Sequence, residues 1–569
     1  MAGRLFIDEL RGSASEQRGL TFAASPTASR RLSYSELDAQ AAGRAVALNA
    51  AGFGRGEIAL LAFSAGLDVA RALTAAMYAG LVVAPVAVTA SAPAPVIAER
   101  MLVMLRHSGA RLILTDTATW TVLAESTRGA LDGVTVHLVD VDDAGDPADW
   151  RRPDLGPDDQ AILQYTSGST GTPKGVMITQ ANLLANQSVI RSALRTSADG
   201  VAVGWLPHYH DMGLIGLLLH PMFVGMDAVL TSPLQFLKRP AFWLRLLSEH
   251  RATTTVAPDF AYAMCARLVT DEVVAELDLS SLAVAITGAE PVKARTLQQF
   301  ADRFAPAGFR ADAFAPAYGM AETTLLVSGF RPAGEPVRIR RTDLAALAEG
   351  RFEEAVDGAA AVESVACGAV AEGHAVSVVD PVTRRRRAPG EIGELWVSGP
   401  SVSAGYWRDE AATLADFGAE IADEGGVRRL RTGDLGIVVD GDVIVTGRIK
   451  DLIIVRGKNV YPQDVEERAA VLLPGVVGAN SAAFSHGIDS DRVALVLEIE
   501  PRALSVPGAG DDLERIRLIL VREFGLPSLD VVTVRRGSLP RTTSGKIQRS
   551  GTRELFETNA LQRVEFVAS

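Results

Sequence analysis

Over its first 330 residues the chain alternates between helical and strand-like apolar patterns. Ser33 and Glu36 stand three apart ahead of a helical pattern reaching about Ala50, which is the spacing of a capping box. IALLAF (58–63) has the unbroken apolar character of a buried strand, and a second helix and strand follow before Pro85. RLILTD (111–116), TTTVAP (253–258) and LAVAITG (282–288) repeat the theme. This alternation predicts an α/β fold of largely parallel sheets covered by helices, with ligand-binding loops at the carboxyl ends of the strands. From about Val376 the texture changes. VSVVD, GELWVSG and GIVVDGDVIVTGR read as antiparallel hairpins, with a tight turn at Asp440-Gly441. Beyond Lys450 the pattern is mixed again, so a domain boundary is placed there; no fixed-period repeat points to a solenoid or propeller.

Composition narrows the class. With 569 residues, 48% hydrophobic, and only two cysteines, the chain is neither low-complexity disorder nor a small disulfide scaffold. A formal charge of −12 argues against a nucleic-acid partner, whose phosphates require many cations. Residues 451–569 carry a net charge of about −1, so basic surface is to be sought near the C-terminus. Cys265 and Cys367 lack metal-ligand spacing and read as buried thiols in a reducing compartment. The first 19 residues carry charges of both signs without an apolar core, unlike a signal peptide. Residues 72–98 are uncharged, but Gly80, Pro85, Pro93 and Pro95 interrupt them, so they read as a helix, a buried strand and a Pro-rich loop. The expected location is cytoplasmic, with no transmembrane segment.

The richest chemistry lies in AILQYTSGSTGTPKGVMITQANLLANQ (161–187). An apolar strand leads into a Gly, Ser and Thr loop, and a helix with Leu183, Ile190, Ala193 and Leu194 on one face follows. Glycines let backbone wrap a phosphate, hydroxyls donate to its oxygens, and Lys174 adds charge. The loop is not a Walker A sequence, because its second Gly is not followed by Lys and then Ser or Thr.

TSGSTGTPKG resembles the phosphate-loop signature of the adenylate-forming superfamily. YGMAE (318–322), GELWVSGPSVSAGYW (393–407), RTGD (431–434), GRIKDLIIVRGKNVYPQDVE (447–466) and LPRTTSGKIQR (539–549) resemble its later motifs in the same order. The resemblance implies a large N-terminal AMP- and acyl-binding domain, residues 1–449, built of βα-alternating sheets with a small β-barrel-like part. A small mobile α+β lid domain, residues 450–569, follows. It also implies ATP and Mg2+ as cofactors, with Glu322 as the magnesium-associated carboxylate. The nucleotide-binding set is Thr166, Ser167, Gly168, Ser169, Thr170, Gly171, Lys174, Gly288, Ala289, Glu290, Tyr318, Gly319, Met320, Asp434 and Arg448. Within it the resemblance implies that Tyr318 lies beside adenine, that Asp434 takes the ribose hydroxyls and that Arg448 adds a ribose or phosphate contact. Lys450 matches the hinge, and Lys546 the lysine that bridges carboxylate and α-phosphate. Alone, Asp434 and Glu322 also suit caps, and Lys546 a solvated surface. The usual Thr before the glutamate is Ala321 here, which removes a hydroxyl contact.

LQYTSGST, GWLPHYHDMGLIG (204–216), TGAEPV (287–292) and YGMAETTLLVSG (318–329) are similar to the fatty acyl-AMP ligase branch. His210 matches the gate beside the substrate carboxylate. Lys546, His210 and Glu322 are thus the expected catalytic residues, and His208 with His210 lacks a third metal ligand. The 45 residues between Glu322 and Gly368 also resemble the branch's insertion, placed around 336–365. The branch implies activation of a fatty acid to acyl-adenylate, then transfer to the phosphopantetheine thiol of an acyl carrier protein or a carrier domain of a polyketide or nonribosomal peptide synthase. A fatty acyl-CoA synthetase and an inactive nucleotide-binding scaffold are the alternatives. MGLIGLLLHPMFVGM (212–226) and FAYAMCARLV (260–269) suit either an acyl tunnel or ordinary core.

Overall fold

A computed structural model describes residues 4–90, 92–166, 174–473, 477–487, 492–499, 509–542 and 545–564. Two sheets carry the βα part. One runs Thr135–Leu138, Leu112–Thr115, Ile58–Ala62, Val82–Pro85, Gln160–Thr166 and Lys174–Thr179, parallel except at its last pair. The other runs Phe314–Pro316, Val284–Thr287, Thr254–Ala257, Val201–Gly204, Asp227–Leu230 and Gly19–Ser25, closing on the antiparallel edge strand Ala28–Ser33. Strands buried on both faces explain the unbroken apolar runs: all five residues of Ile58–Ala62 are buried.

The capping box forms as read. Ser33 Oγ accepts from the Glu36 amide at 3.1 Å, Glu36 Oε2 accepts from the Ser33 amide at 2.8 Å, and the helix Tyr34–Ala50 follows. Residues 72–98 resolve into the end of the helix Leu67–Tyr78, the buried strand Val82–Pro85 and the start of the helix Ala94–Ser108. Among the described residues no helix is long and apolar enough to cross a membrane. Cys265 and Cys367 are free and buried.

One local reading changes. The chain does not pass from the phosphate loop directly into a helix: it returns as the strand Lys174–Thr179, antiparallel to Gln160–Thr166, and only then enters the helix Gln180–Leu194. The loop therefore tops a hairpin, with Thr166 opposite Lys174 at its base. The helix keeps its expected face, with Leu183, Ile190 and Leu194 buried and Ala193 packed against the same core.

A seven-stranded antiparallel sheet follows, from Tyr318–Gly319 through Leu326–Phe330, Ala369–Val370, Asp442–Arg448, Leu430–Val439 and Gly393–Ser398 to Ala375–Val379. Asp440-Gly441 makes the tight turn, both residues having positive φ (51° and 86°). Residues 339–365 form a hairpin of Ile339–Asp343 and Ala361–Val365 enclosing the helix Leu344–Ala348. Leu347 and Phe352 from it share a core with Ile437, Ile444 and Tyr461, so the insertion packs where the antiparallel sheet meets the following segment. The C-terminal part has its own sheet, Val477–His486, Arg492–Ile499 and Leu529–Arg535, and its own core around Val465, Leu495 and Leu520.

Ser33→Ala removes one half of the capping box and is expected to destabilise the N-terminal part by about 1 kcal/mol, read as a lower urea midpoint.

Candidate active site

A cleft of about 3000 Å³ receives the carboxyl ends of the parallel strands, one end of the antiparallel sheet and residues 541–542 and 545–551. Thr166, Lys174, His210, Gly288, Ala289, Glu290, Tyr318, Gly319, Met320, Glu322, Asp434, Arg448, Lys450 and Lys546 all line it. Ser167, Gly168, Ser169, Thr170 and Gly171 lie outside the described residues.

Backbone geometry fixes several of these positions. A Cβ on Gly319 would stand 1.7 Å from the Leu325 carbonyl oxygen, so only glycine fits where Tyr318–Gly319 pairs with Leu326–Phe330. Ala289 follows the strand Val284–Thr287 with a left-handed backbone, φ 65°, an uncommon state for alanine that marks a constrained turn.

Asp434 and Arg448 are cross-strand partners, Arg448 Nε lying 2.9 Å from Asp434 Oδ1. The buried Tyr318 hydroxyl donates to Asp434 Oδ2 at 2.9 Å. Three residues from distant motifs thus form one hydrogen-bonded unit. The Asp434 charge holds Arg448 above the usual arginine range, while burial and that same charge push the Tyr318 phenol well above its ordinary value.

Glu322 sits in a short 3₁₀ turn, Ala321–Thr323, and its Oε1 accepts from the Tyr406 hydroxyl at 3.1 Å. Burial raises its proton affinity, and the donated hydrogen bonds lower it in part. Lys174 lies 3.5 Å from Asp416 Oδ2 and 4.2 Å from the centre of the Tyr406 ring. His210 Nδ1 is 2.6 Å from Asp211 Oδ1, whose carboxylate caps the π-helix Met212–Leu219 through the Met212 amide at 2.7 Å. Burial works to raise Asp211, yet His210 and Lys546 hold it below the carboxylate range. Lys546 is depressed by burial, against the opposing pull of Asp211, Glu290 and Asp434. His208 is buried and held at about 4, hence neutral.

The C-terminal basic cluster is less free than its sequence implies. Arg541 meets Glu498 at 3.3 Å, and Arg549 meets Glu466 at 2.7 Å and Asp451 at 3.3 Å. These arginines anchor the segment that carries Lys546.

Apolar residues line the cleft beyond His210, including Trp205, Phe260, Ala263 and Met264; Trp205 stacks on the buried Phe236 at 4.0 Å. The two apolar stretches therefore divide. Leu214, Ile215, Leu218 and Leu219 are core, whereas Met212, Gly216, Phe260 and Met264 reach the cleft. Glu290 fixes this wall by accepting from the Phe260 amide at 2.8 Å. Tyr406, Asp416 and Asp259 went unassigned in the sequence, although Tyr406 stands in a quoted motif. Among the described residues no group of three or more His, Cys, Asp or Glu side chains is arranged to hold a metal by itself.

Comparison with known proteins decides the family. The AMP-binding enzyme family matches residues 10–407. The chain belongs to that family. It is 39% identical over 547 residues to the medium-chain-fatty-acid–[acyl-carrier-protein] ligase JamA of Moorena producens, covering 94% of this chain and 91% of that one. A structure from work on fatty acyl-adenylate ligases of E. coli and L. pneumophila superposes with a TM-score of 0.87 at 30% identity, covering 98% of each chain. The L. pneumophila fatty acyl-adenylate ligase in complex with acyl adenylate and pyrophosphate gives a TM-score of 0.75 at 31% identity, over 97% and 96% of the two chains. This AMP-binding enzyme is an adenylate-forming ligase with ATP as its adenylation substrate.

Asp259 offers a pH test. Buried beside Glu290, it accepts from the Lys293 amide at 3.0 Å and from Thr296 Oγ1 at 2.9 Å, and burial raises it to about 7. Its folded-state value is above the unfolded one, so the folded state binds the extra proton and the group's contribution to stability falls as pH rises from about 4 to about 7. Asp259→Asn is expected to flatten that part of the stability curve; urea titrations across pH 4 to 8 check it.

Proposed function

We propose that the chain is a fatty acyl-AMP ligase, which activates a fatty acid with ATP and passes the acyl group to the phosphopantetheine thiol of an acyl carrier protein or carrier domain. The observation that carries this reading is that one cleft is lined both by the polar and charged Tyr318, Glu322, Asp434 and Lys546 and by the apolar Trp205, Phe260 and Met264. The carrier partner is supported by JamA, named as an acyl-carrier-protein ligase.

Asp434 accepts from Tyr318 and Arg448 and retains lone pairs for ribose hydroxyls. Tyr318 flanks adenine, and Lys174 with the phosphate loop takes the outer phosphates. The fatty-acid carboxylate attacks the α-phosphorus, the bond to pyrophosphate breaks, and the negative charge on the reacting oxygens meets the Lys546 ammonium. His210, braced by Asp211, closes the carboxylate end of the cleft. Glu322 suits magnesium: it presents a carboxylate beside the phosphate site, and magnesium takes few protein oxygens while keeping waters and phosphate ligands. When bound, the ion would neutralise phosphate charge. Residues 450–569 act as the lid, with Lys450 as hinge, and its rotation withdraws Lys546 before the thiol enters. Packing of Leu347 and Phe352 against Tyr461 supports a restraining role for the insertion, in keeping with carrier-protein rather than CoA transfer.

Lys546→Ala is expected to reduce fatty-acid-dependent pyrophosphate release by about 100-fold or more, with ATP binding still measurable by calorimetry; unchanged turnover overturns the assigned role. Labelled fatty acid and ATP, supplied in parallel with coenzyme A and with holo carrier protein, should yield mainly acyl carrier protein. Efficient acyl-CoA formation would overturn the branch.

A further inference from the structure

We infer that Tyr406 is a positioning residue that joins the two halves of the phosphate site, its ring seating the Lys174 ammonium while its hydroxyl holds the Glu322 carboxylate. The inference rests on the proposed placement of ATP phosphates beside Lys174 and of the metal beside Glu322. Lys174 Nζ lies 4.2 Å from the Tyr406 ring centre, and the same side chain donates to Glu322 Oε1 at 3.1 Å. One rigid aromatic side chain therefore spans cation and carboxylate.

Its own placement is heavily determined. The segment around Tyr406 runs beside the strand that returns from the phosphate loop: Met177 N donates to Gly405 O at 2.9 Å, Ala404 N to Met177 O at 2.9 Å and Trp407 N to Gly175 O at 2.8 Å. Ser403 N donates to Glu322 O at 2.9 Å, so the same segment grips the backbone of the carboxylate turn. Thr413 Oγ1 accepts from the Tyr406 amide at 2.9 Å, and Phe417 packs edge-on to its ring at 5.1 Å. Tyr406 itself is 6% exposed.

Asp416 completes the arrangement as the counter-ion of Lys174 at 3.5 Å, with both side chains about one-third exposed. An incoming polyphosphate must take Lys174 from this partner, whereas it need not displace the Tyr406 ring. Tyr406 thus sets the spacing of the site, and Asp416 holds the cation until phosphate replaces it.

Calorimetric titration of the full chain with AMP and with ATP, each with and without Mg2+, separates these roles. Tyr406→Phe keeps the ring: AMP and Mg2+-free ATP should bind within about twofold of the wild type, while the gain from Mg2+ shrinks by about 3- to 10-fold. Tyr406→Leu also loses the ring, so Mg2+-free ATP should weaken by about 5- to 10-fold with AMP unchanged. Asp416→Asn should tighten Mg2+-free ATP by about twofold. Equal behaviour of the Phe and Leu variants, or loss of AMP affinity in step with ATP, would overturn the inference in favour of a purely structural tyrosine. Lys174→Ala separates the two levels. If it leaves ATP affinity intact, the phosphate-site reading fails and takes the inference with it. If it weakens ATP while Tyr406→Leu does not, only the positioning role is lost.

Discussion

Charges withdrawn from water must face opposite charges or donors, and that constraint organises the cleft. Lys546, arriving from the last sixth of the chain, lies among Asp211, Glu290 and Asp434, and each of these acids is itself held by a separate element. Asp211 caps the helix behind it, Glu290 caps the helix of the apolar wall, and Asp434 joins two strands of the antiparallel sheet. The lysine is consequently the meeting point of three structural layers. Burial still lowers the lysine's hold on its proton, so the three acids offset only part of the desolvation cost, and the ammonium is in position to meet incoming anions.

Division of labour between sheets follows from their geometry. Parallel strands present loops at one end, and two crossovers supply His210 and Glu290, while Lys174 stands at the base of the antiparallel hairpin at the edge of its sheet. The antiparallel sheet instead offers side chains across a ladder, so Asp434 and Arg448 come together by register alone. A site assembled from both combines side chains fixed by strand register with others carried on loops.

Features carried by short sequence spacings were legible in advance. Ser33 with Glu36, the turn at Asp440-Gly441 and the apolar face Leu183, Ile190 and Leu194 all depend on neighbours a few positions away, whereas the candidate site residues were named through the family resemblance of their motifs. What escaped was set by long-range pairing. Tyr406 meets Glu322 across 84 residues and Lys174 meets Asp416 across 242, distances over which sequence order carries no geometric information. The hairpin return at Lys174–Thr179 was hidden for a related reason: its buried partners lie on the neighbouring strand and in the 404–407 segment. The basic C-terminal cluster misled in the opposite sense, because Glu466, Asp451 and Glu498, which neutralise two of its arginines, lie far upstream.

The 403–407 segment has one more consequence, which concerns chain length rather than side chains. It is bonded on one side to the strand after the phosphate loop and on the other to the Glu322 turn, with Val176 opposite Tyr406. Tyr406 is held by a single bridge opposite Val176, so inserting or deleting one residue there would carry its ring and hydroxyl away from Lys174 and Glu322. Substitutions in this stretch are graded in their effect, but a change in its length is all or none. Surface loops can absorb a change in length that this doubly bonded stretch cannot.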